Sequence, residues 1–272
     1  MKSDKGFISQ DALKITALLS MLIDHIGATL IKDRYDRIAA AVSDHSRVVN
    51  AYRLYCVFRV LGRAAFPIFA FLLVQGFYKT HSRVRYLLTM AAFALISELP
   101  YDLAFNDRFM THPFDEQNVF VTLTLGLLML ILTDKLINLE KVRTNETLRF
   151  LISVLVLALF CIIARFSNCD YSYRGILMIY IIWALFEKRL AMCLLAPAVY
   201  CLLNLIPRYM GTKTVMVRQF IICQIIMYFL TFALIYFSNG IRRIRGRIKY
   251  AFYAFYPLHI ALLCLIRKIF YA

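Results

Sequence analysis

Long apolar runs separated by short basic stretches set the plan of this 272-residue chain. A membrane-crossing helix needs roughly 17–25 mostly apolar residues. Nine stretches meet or approach that length: 12–31, 54–78, 84–105, 118–137, 148–165, 173–187, 189–206, 217–238 and 251–270. The pattern predicts an all-α fold, a polytopic transmembrane helical bundle of about nine spans, with eight to ten as the range. Only Glu187, Lys188 and Arg189 divide the sixth span from the seventh, so the two form a tight hairpin. Pro257 and His259 lie inside the ninth and soften its limits. No internal repeat or low-complexity segment interrupts the pattern, and residues 1–272 read as one integral-membrane domain.

Composition sharpens this picture. At 61% hydrophobic residues and a mean hydropathy of +0.67 the chain is too apolar for an ordinary soluble domain. The net charge of +16 sits mainly between the apolar runs, which suits anionic lipid headgroups and membrane orientation rather than nucleic acid. Some of these cations are also available to a phosphate-bearing substrate. Cation placement predicts a cytoplasmic N-terminus in a bacterial inner membrane, the strongest signal being the run from Arg242 to Lys249. The 32–53 connection is unusually basic for an outside loop, and either folds back or binds something anionic. Seven cysteines, at 56, 161, 169, 193, 201, 223 and 264, show no Cys-x-x-Cys spacing, which argues against a disulfide framework or a zinc site. The basic N-terminus lacks a small-residue cleavage site after it and reads as the start of a retained first span.

Ionisable residues inside such spans are costly and mark function by default. The first span carries Asp24 and His25 side by side. His25 lies eleven residues beyond Lys14, close to three full turns, so both share one face about 16 Å apart along the axis. Asp24 points about 100° away from His25. It reads as an anchor for Arg63 or for the fold, and is grouped with His25 and Glu98 as the candidate catalytic set. Lys14 has two readings, a boundary lysine that snorkels to the headgroups or one end of a site for a long anionic substrate. Arg59 and Arg63 lie one turn apart in the second span and need anionic partners, either carboxylates of other spans or phosphates. Pro67 predicts a kink there.

Glu98 and Asp102 lie four apart around Pro100 at the end of the third span. They are placed to neutralise Arg63, to receive a proton or to hold a cationic acceptor. Asn118, Thr122 and Gly126 form a small-polar stripe on the fourth span, and Asn118 is also placed to cap it. Tyr173 and Arg174 precede the sixth span, and His259 is the second intramembrane imidazole. These three, with Asp102 and Asn118, complete the candidate substrate-binding set. No Gly-rich phosphate loop, nucleophile elbow or metal-ligand spacing is present, and no metal is expected.

Four motifs in order resemble the TraX family: Met-Leu-Ile-Asp-His-Ile-Gly at 21–27, Gly-Arg-x-Ala-Phe-Pro-Ile-Phe-Ala-Phe-Leu-Leu-Val-x-Gly-Phe at 62–77, Ile-Ser-Glu-Leu-Pro-Tyr-Asp-Leu-Ala-Phe at 96–105, and Gln-Asn-Val-Phe-x-Thr-Leu-x-Leu-Gly-Leu at 117–127. They cover the first half of the chain, and the second half matches more loosely. The family is named for a conjugation protein that acetylates the N-terminus of F-type pilin, and is grouped with a membrane acyltransferase superfamily that uses acyl-CoA. Many of that superfamily carry an arginine, ten intervening residues and an essential histidine in the first span. Here Lys14 stands in for the arginine ahead of His25, keeping the charge and losing the bidentate fork.

The resemblance implies an acetyltransferase that takes acetyl-CoA as donor and acts on a peptide amine, as in pilin, or on a glycan hydroxyl. His25 would be the general base. Lys14, Arg59 and Arg63 would meet the coenzyme phosphates, and Glu98 or Asp102 would orient an imidazole or hold the acceptor. Two other classes fit the same residues: a proton-coupled transporter built on the Asp24, His25, Arg63 and Glu98 set, and a non-catalytic membrane scaffold of a secretion or conjugation system.

Overall fold

A computed structural model describes residues 6–41, 44–106, 116–241 and 248–271. Among the described residues thirteen α-helices follow one another: α1 (Gln10–Ile26), α2 (Lys32–Ala41), α3 (His45–Gly62), α4 (Ala65–Lys79), α5 (Arg83–Tyr101), α6 (Val119–Ile137), α7 (Glu140–Arg143), α8 (Glu146–Phe166), α9 (Ser172–Ala184), α10 (Arg189–Tyr200), α11 (Ile206–Gly211), α12 (Val215–Tyr236) and α13 (Ile248–Tyr271). Wider π turns at Gly27–Ile31, Asp102–Asn106 and Cys201–Leu205 carry α1 into α2, extend α5, and carry α10 into α11. Two of the three follow a proline, Pro100 or Pro197, that cannot donate to the carbonyl four residues back and so removes one rung of the ladder. The basic run 242–247 falls outside the described residues, as do Lys2, Lys5 and Arg108.

Among the described residues eight helical stretches are long and apolar enough to cross a membrane, and the shorter apolar α9 makes a ninth. The protein is a multi-pass membrane protein, an all-α bundle of about nine spans. Two contacts support the odd count. Ile8 pairs beside Ser238, with the Ile8 N–H donating to the Phe237 carbonyl (3.1 Å), so the start of α1 and the end of α12 share a side. Lys14 lies by Phe252, His25 by His259 and Asp33 by Arg267, so α1–α2 and α13 run parallel. An even number of crossings therefore lies between the start of α1 and the end of α12, and α13 adds one more.

The 32–53 connection differs from a loop. Helix α1 continues through its π turn into α2, and α3 begins at His45, so two spans extend as a helical pair. The charges that end an apolar run do not end the helix, because its hydrogen bonds are local and a side chain beyond the lipid is simply solvated. The expected kink at Pro67 is a break at Arg63–Ala64 instead. Proline at the third position of α4 has no N–H for the Arg63 carbonyl, so α3 closes there and a new helix starts.

The chain gathers into two compact units, one of Met1–Phe69, Pro100–Phe109 and Cys201–Ala272, the other of Ala70–Leu99 and Met110–Tyr200. In the first, α1 packs on α3 and α13, burying Leu13, Ala17 and Met21 with Tyr256, Ile260 and Leu263. Gly27 allows the approach of α3, since a Cβ there would lie 2.7 Å from the Phe58 Cβ. In the second, α6, α8 and α9 pack together around Leu127, Leu130, Ile176 and Ile179. Helix α8 turns Phe150, Leu155 and Ile162 outward, an apolar surface suited to lipid.

Candidate functional site

The Asp24–His25 pair sits in the last turn of α1, just before the π turn that begins at Gly27. Helical phase sends the two side chains to different neighbours. Asp24 faces α3, where its Oδ2 accepts from Arg59 Nη1 (2.6 Å) and its Oδ1 from Arg63 Nη2 (3.1 Å). Arg63 Nε also donates to the Arg59 carbonyl (3.1 Å), which helps fix the Arg63 guanidinium beside the carboxylate. Gly62 makes room, since a Cβ at 62 would collide with the Asp24 side chain. One carboxylate thus faces two arginines.

His25 faces α13. Its Nδ1 lies 2.6 Å from His259 Nε2, and His259 Nδ1 lies 2.6 Å from the Phe255 carbonyl. The imidazole centroids are 4.9 Å apart with planes at 9°, so with nitrogens this close the rings meet edge to edge in nearly one plane and are not stacked. Phe105 and Tyr256 approach His25 edge to face, at 5.6 and 5.7 Å between centroids. Among the described residues no group bonds the other ring nitrogen of His25. Two imidazole ligands of one tetrahedral ion, each about 2.0–2.1 Å from it, would lie about 3.3 Å apart. The closer N···N distance here is that of a shared proton.

The same side of the unit holds the other candidates on α1 and on the turn after α5. Lys14 is half-buried, with Asp11 at 3.9 Å and the Phe252 ring 5.4 Å away. Asp102 opens the second π turn and is 2% exposed. Beyond His25, Arg267 of α13 takes Asp33 in a two-pronged contact (2.6 and 3.3 Å) and donates to the Ala104 carbonyl (3.2 Å). Arg267 thus ties α13 to α2 and to the turn that carries Asp102. Sequence reading passed over Asp33 and Arg267. Their signal was present in the charges just past the first span and in the last turn of the ninth, but such charges are common near span ends.

The remaining candidates belong to the other unit. Asn118 Oδ1 accepts from the Phe120 N–H (3.0 Å) and caps α6, while its amide donates to Glu98 and to the Ala94 carbonyl (2.9 Å). It is fully buried, so the cap and the interhelical contact are one structure. Further along the stripe, Thr122 donates to the Asp170 carbonyl (2.7 Å) and Gly126 lies against Ile179. Arg174 lies over the Tyr173 ring at 5.1 Å, and its Nε reaches the Tyr173 hydroxyl at 3.4 Å.

The motifs in this geometry have relatives. The profile of the family described as TraX protein matches residues 9–267, nearly the whole chain. The chain belongs to the TraX family. Both the His25 and His259 ends of the imidazole pair lie within the TraX match. The chain is also 26% identical over 262 residues to the "Probable fimbrial assembly protein FimC, serogroup H1" of Dichelobacter nodosus, covering 93% of each chain. No solved structure matches it.

Proposed function

We propose that this TraX-family protein is an integral-membrane acetyltransferase, passing the acetyl group of acetyl-CoA to an amine or hydroxyl acceptor. The observation that carries the reading is the division between neighbouring residues. Asp24 is engaged by two arginines, while His25, half-buried in an apolar helix, keeps a ring nitrogen that no described group bonds. An imidazole so placed is suited to general-base work.

In this reading His25 takes the proton from the acceptor N–H or O–H as that atom attacks the thioester carbonyl. The C–S bond breaks, and coenzyme A leaves as a thiolate that recovers the proton from His25. The residues present suit the donor's phosphates. Arg59 and Arg63 bring two guanidinium groups together beside His25, and Lys14 shares the His25 face nearer the start of α1. Asp102, in the same unit, supplies a carboxylate for an acceptor ammonium. The cation distribution favours donor access from the cytosolic side of a bacterial inner membrane. The relative's name, a fimbrial assembly protein, favours the amine of a pilin-type subunit over a glycan hydroxyl.

The test is consumption of radiolabelled acetyl-CoA by the purified protein in lipid. Wild type should turn it over, and His25→Ala should not, while remaining folded. No consumption by wild type, with or without acceptor, ends this reading. The relative's name also favours a second one, a non-catalytic part in fimbrial assembly. Under that reading His25→Ala leaves assembly intact.

A further inference from the structure

We infer that His259 is the positioning residue of His25, selecting the tautomer in which the lone pair of His25 sits on Nε2. The inference rests on His25 as the base and deepens that reading by assigning the reacting atom. The Phe255 carbonyl can only accept, so its 2.6 Å contact puts a proton on His259 Nδ1. A neutral imidazole carries one proton, so His259 Nε2 is then a bare acceptor. Its partner at 2.6 Å is His25 Nδ1, which must therefore be the donor. The lone pair of His25 is left on Nε2, the nitrogen that no described group bonds. A solvated histidine prefers the opposite tautomer, so the protein reverses an intrinsic preference.

The reverse arrangement needs a doubly protonated His259. That ring is 5% exposed, and no described carboxylate bonds it. Burying such a cation without a paired anion is strongly disfavoured. Orientation is held as well as protonation. The Phe255 ring lies nearly parallel to His259 (4.8 Å, 20°), and Tyr256 packs edge-on against both imidazoles. When Nε2 receives the acceptor's proton, the resulting imidazolium strengthens its Nδ1–H bond to His259. A triad carboxylate does the same for its histidine, but here the partner is neutral and no buried anion is required.

The experiment is 15N NMR of the full chain, labelled at its five histidines and held in lipid nanodiscs, with His25→Asn assigning the His25 signals. The wild type should show His25 protonated at Nδ1 and bare at Nε2. His259→Leu should shift it toward the Nε2–H form and slow acetyl transfer on the order of 10²–10⁴-fold, with KM for acetyl-CoA unchanged. His259→Gln, whose side-chain carbonyl can reach the place of Nε2 as an acceptor, should restore the tautomer and most of the rate. A wild-type His25 carrying its proton on Nε2, or one whose tautomer ignores His259→Leu, overturns the inference. Where the wild type turns over acetyl-CoA, so does a Gln variant that restores the tautomer without the rate. The spectra need no substrate. A correct wild-type tautomer in a protein that consumes no acetyl-CoA therefore supports the positioning and refutes the transferase reading separately. Should the Leu variant fail to fold, the wild-type and Gln tautomers decide.

Discussion

Replacing Asp24 by asparagine removes the one charge that Arg59 and Arg63 share while keeping the shape of the side chain. The three side chains are 16–23% exposed, so water reaches them only in part. Each arginine loses a charge-assisted hydrogen bond, a type worth about 1.5–3 kcal/mol, and two like charges are left facing each other. Breaking a buried pair from one side costs about 3–5 kcal/mol, and we expect the loss to fall in that range. For a chain of this size about 1 kcal/mol moves a thermal midpoint by roughly 2–4 °C, so the midpoint should fall by roughly 6–20 °C. The protein carries its own reporters, since Cys169, Cys193, Cys201 and Cys264 are buried and free. A thiol-reactive fluorogenic dye will read their exposure on heating. Arg63→Gln in the Asp24→Asn background should cost less than Arg63→Gln alone, because the second change removes a stranded cation. A midpoint within a degree of wild type for Asp24→Asn, or strictly additive losses in the double variant, would refute the cluster as a structural anchor.

Four further outcomes are expected. His25→Ala should abolish acetyl transfer while shifting the same dye midpoint by less than the Asp24 variant does. Asn118→Ala strips the α6 cap and removes the amide that reaches Glu98 and the Ala94 carbonyl; a loss of about 1–3 kcal/mol in denaturant unfolding is expected. Gly62→Ala should destabilise more than Gly126→Ala. The first pushes a Cβ into the base of the Asp24 side chain, whereas the second meets only the flexible end of Ile179, and the two midpoints measured side by side check the order. A reporter fused after Asn239 should lie on the same side of the membrane as the N-terminus, since Asn239 donates to the Ile8 carbonyl (2.8 Å); opposite sides would break the nine-crossing count.

Much of this was legible without coordinates because it is local. Apolar run length located the spans, and the helical period put Lys14 with His25 and turned Asp24 toward a different neighbour. The same period placed Asn118, Thr122 and Gly126 on a packing stripe, as the structure has them. The limits of the spans were less legible. Hydropathy stops at the first charges, whereas α1–α2 and α3 run on past them as helix, and the break before Pro67 falls where its missing N–H would have bonded.

What the tertiary structure alone decided is the choice of partners. In lipid an apolar face has no preferred neighbour, because lipid tails are as apolar as a second helix, and packing with a few polar contacts selects the pairing. The sequence determined that Asp24 and His25 need different partners. It held several carboxylates able to meet an arginine, and nothing in its periodicity joined residues 25 and 259, which lie 234 positions apart. Packing α1 between α3 and α13 put Asp24 on two arginines and His25 on a second imidazole, and so separated an anchor from a base at adjacent positions.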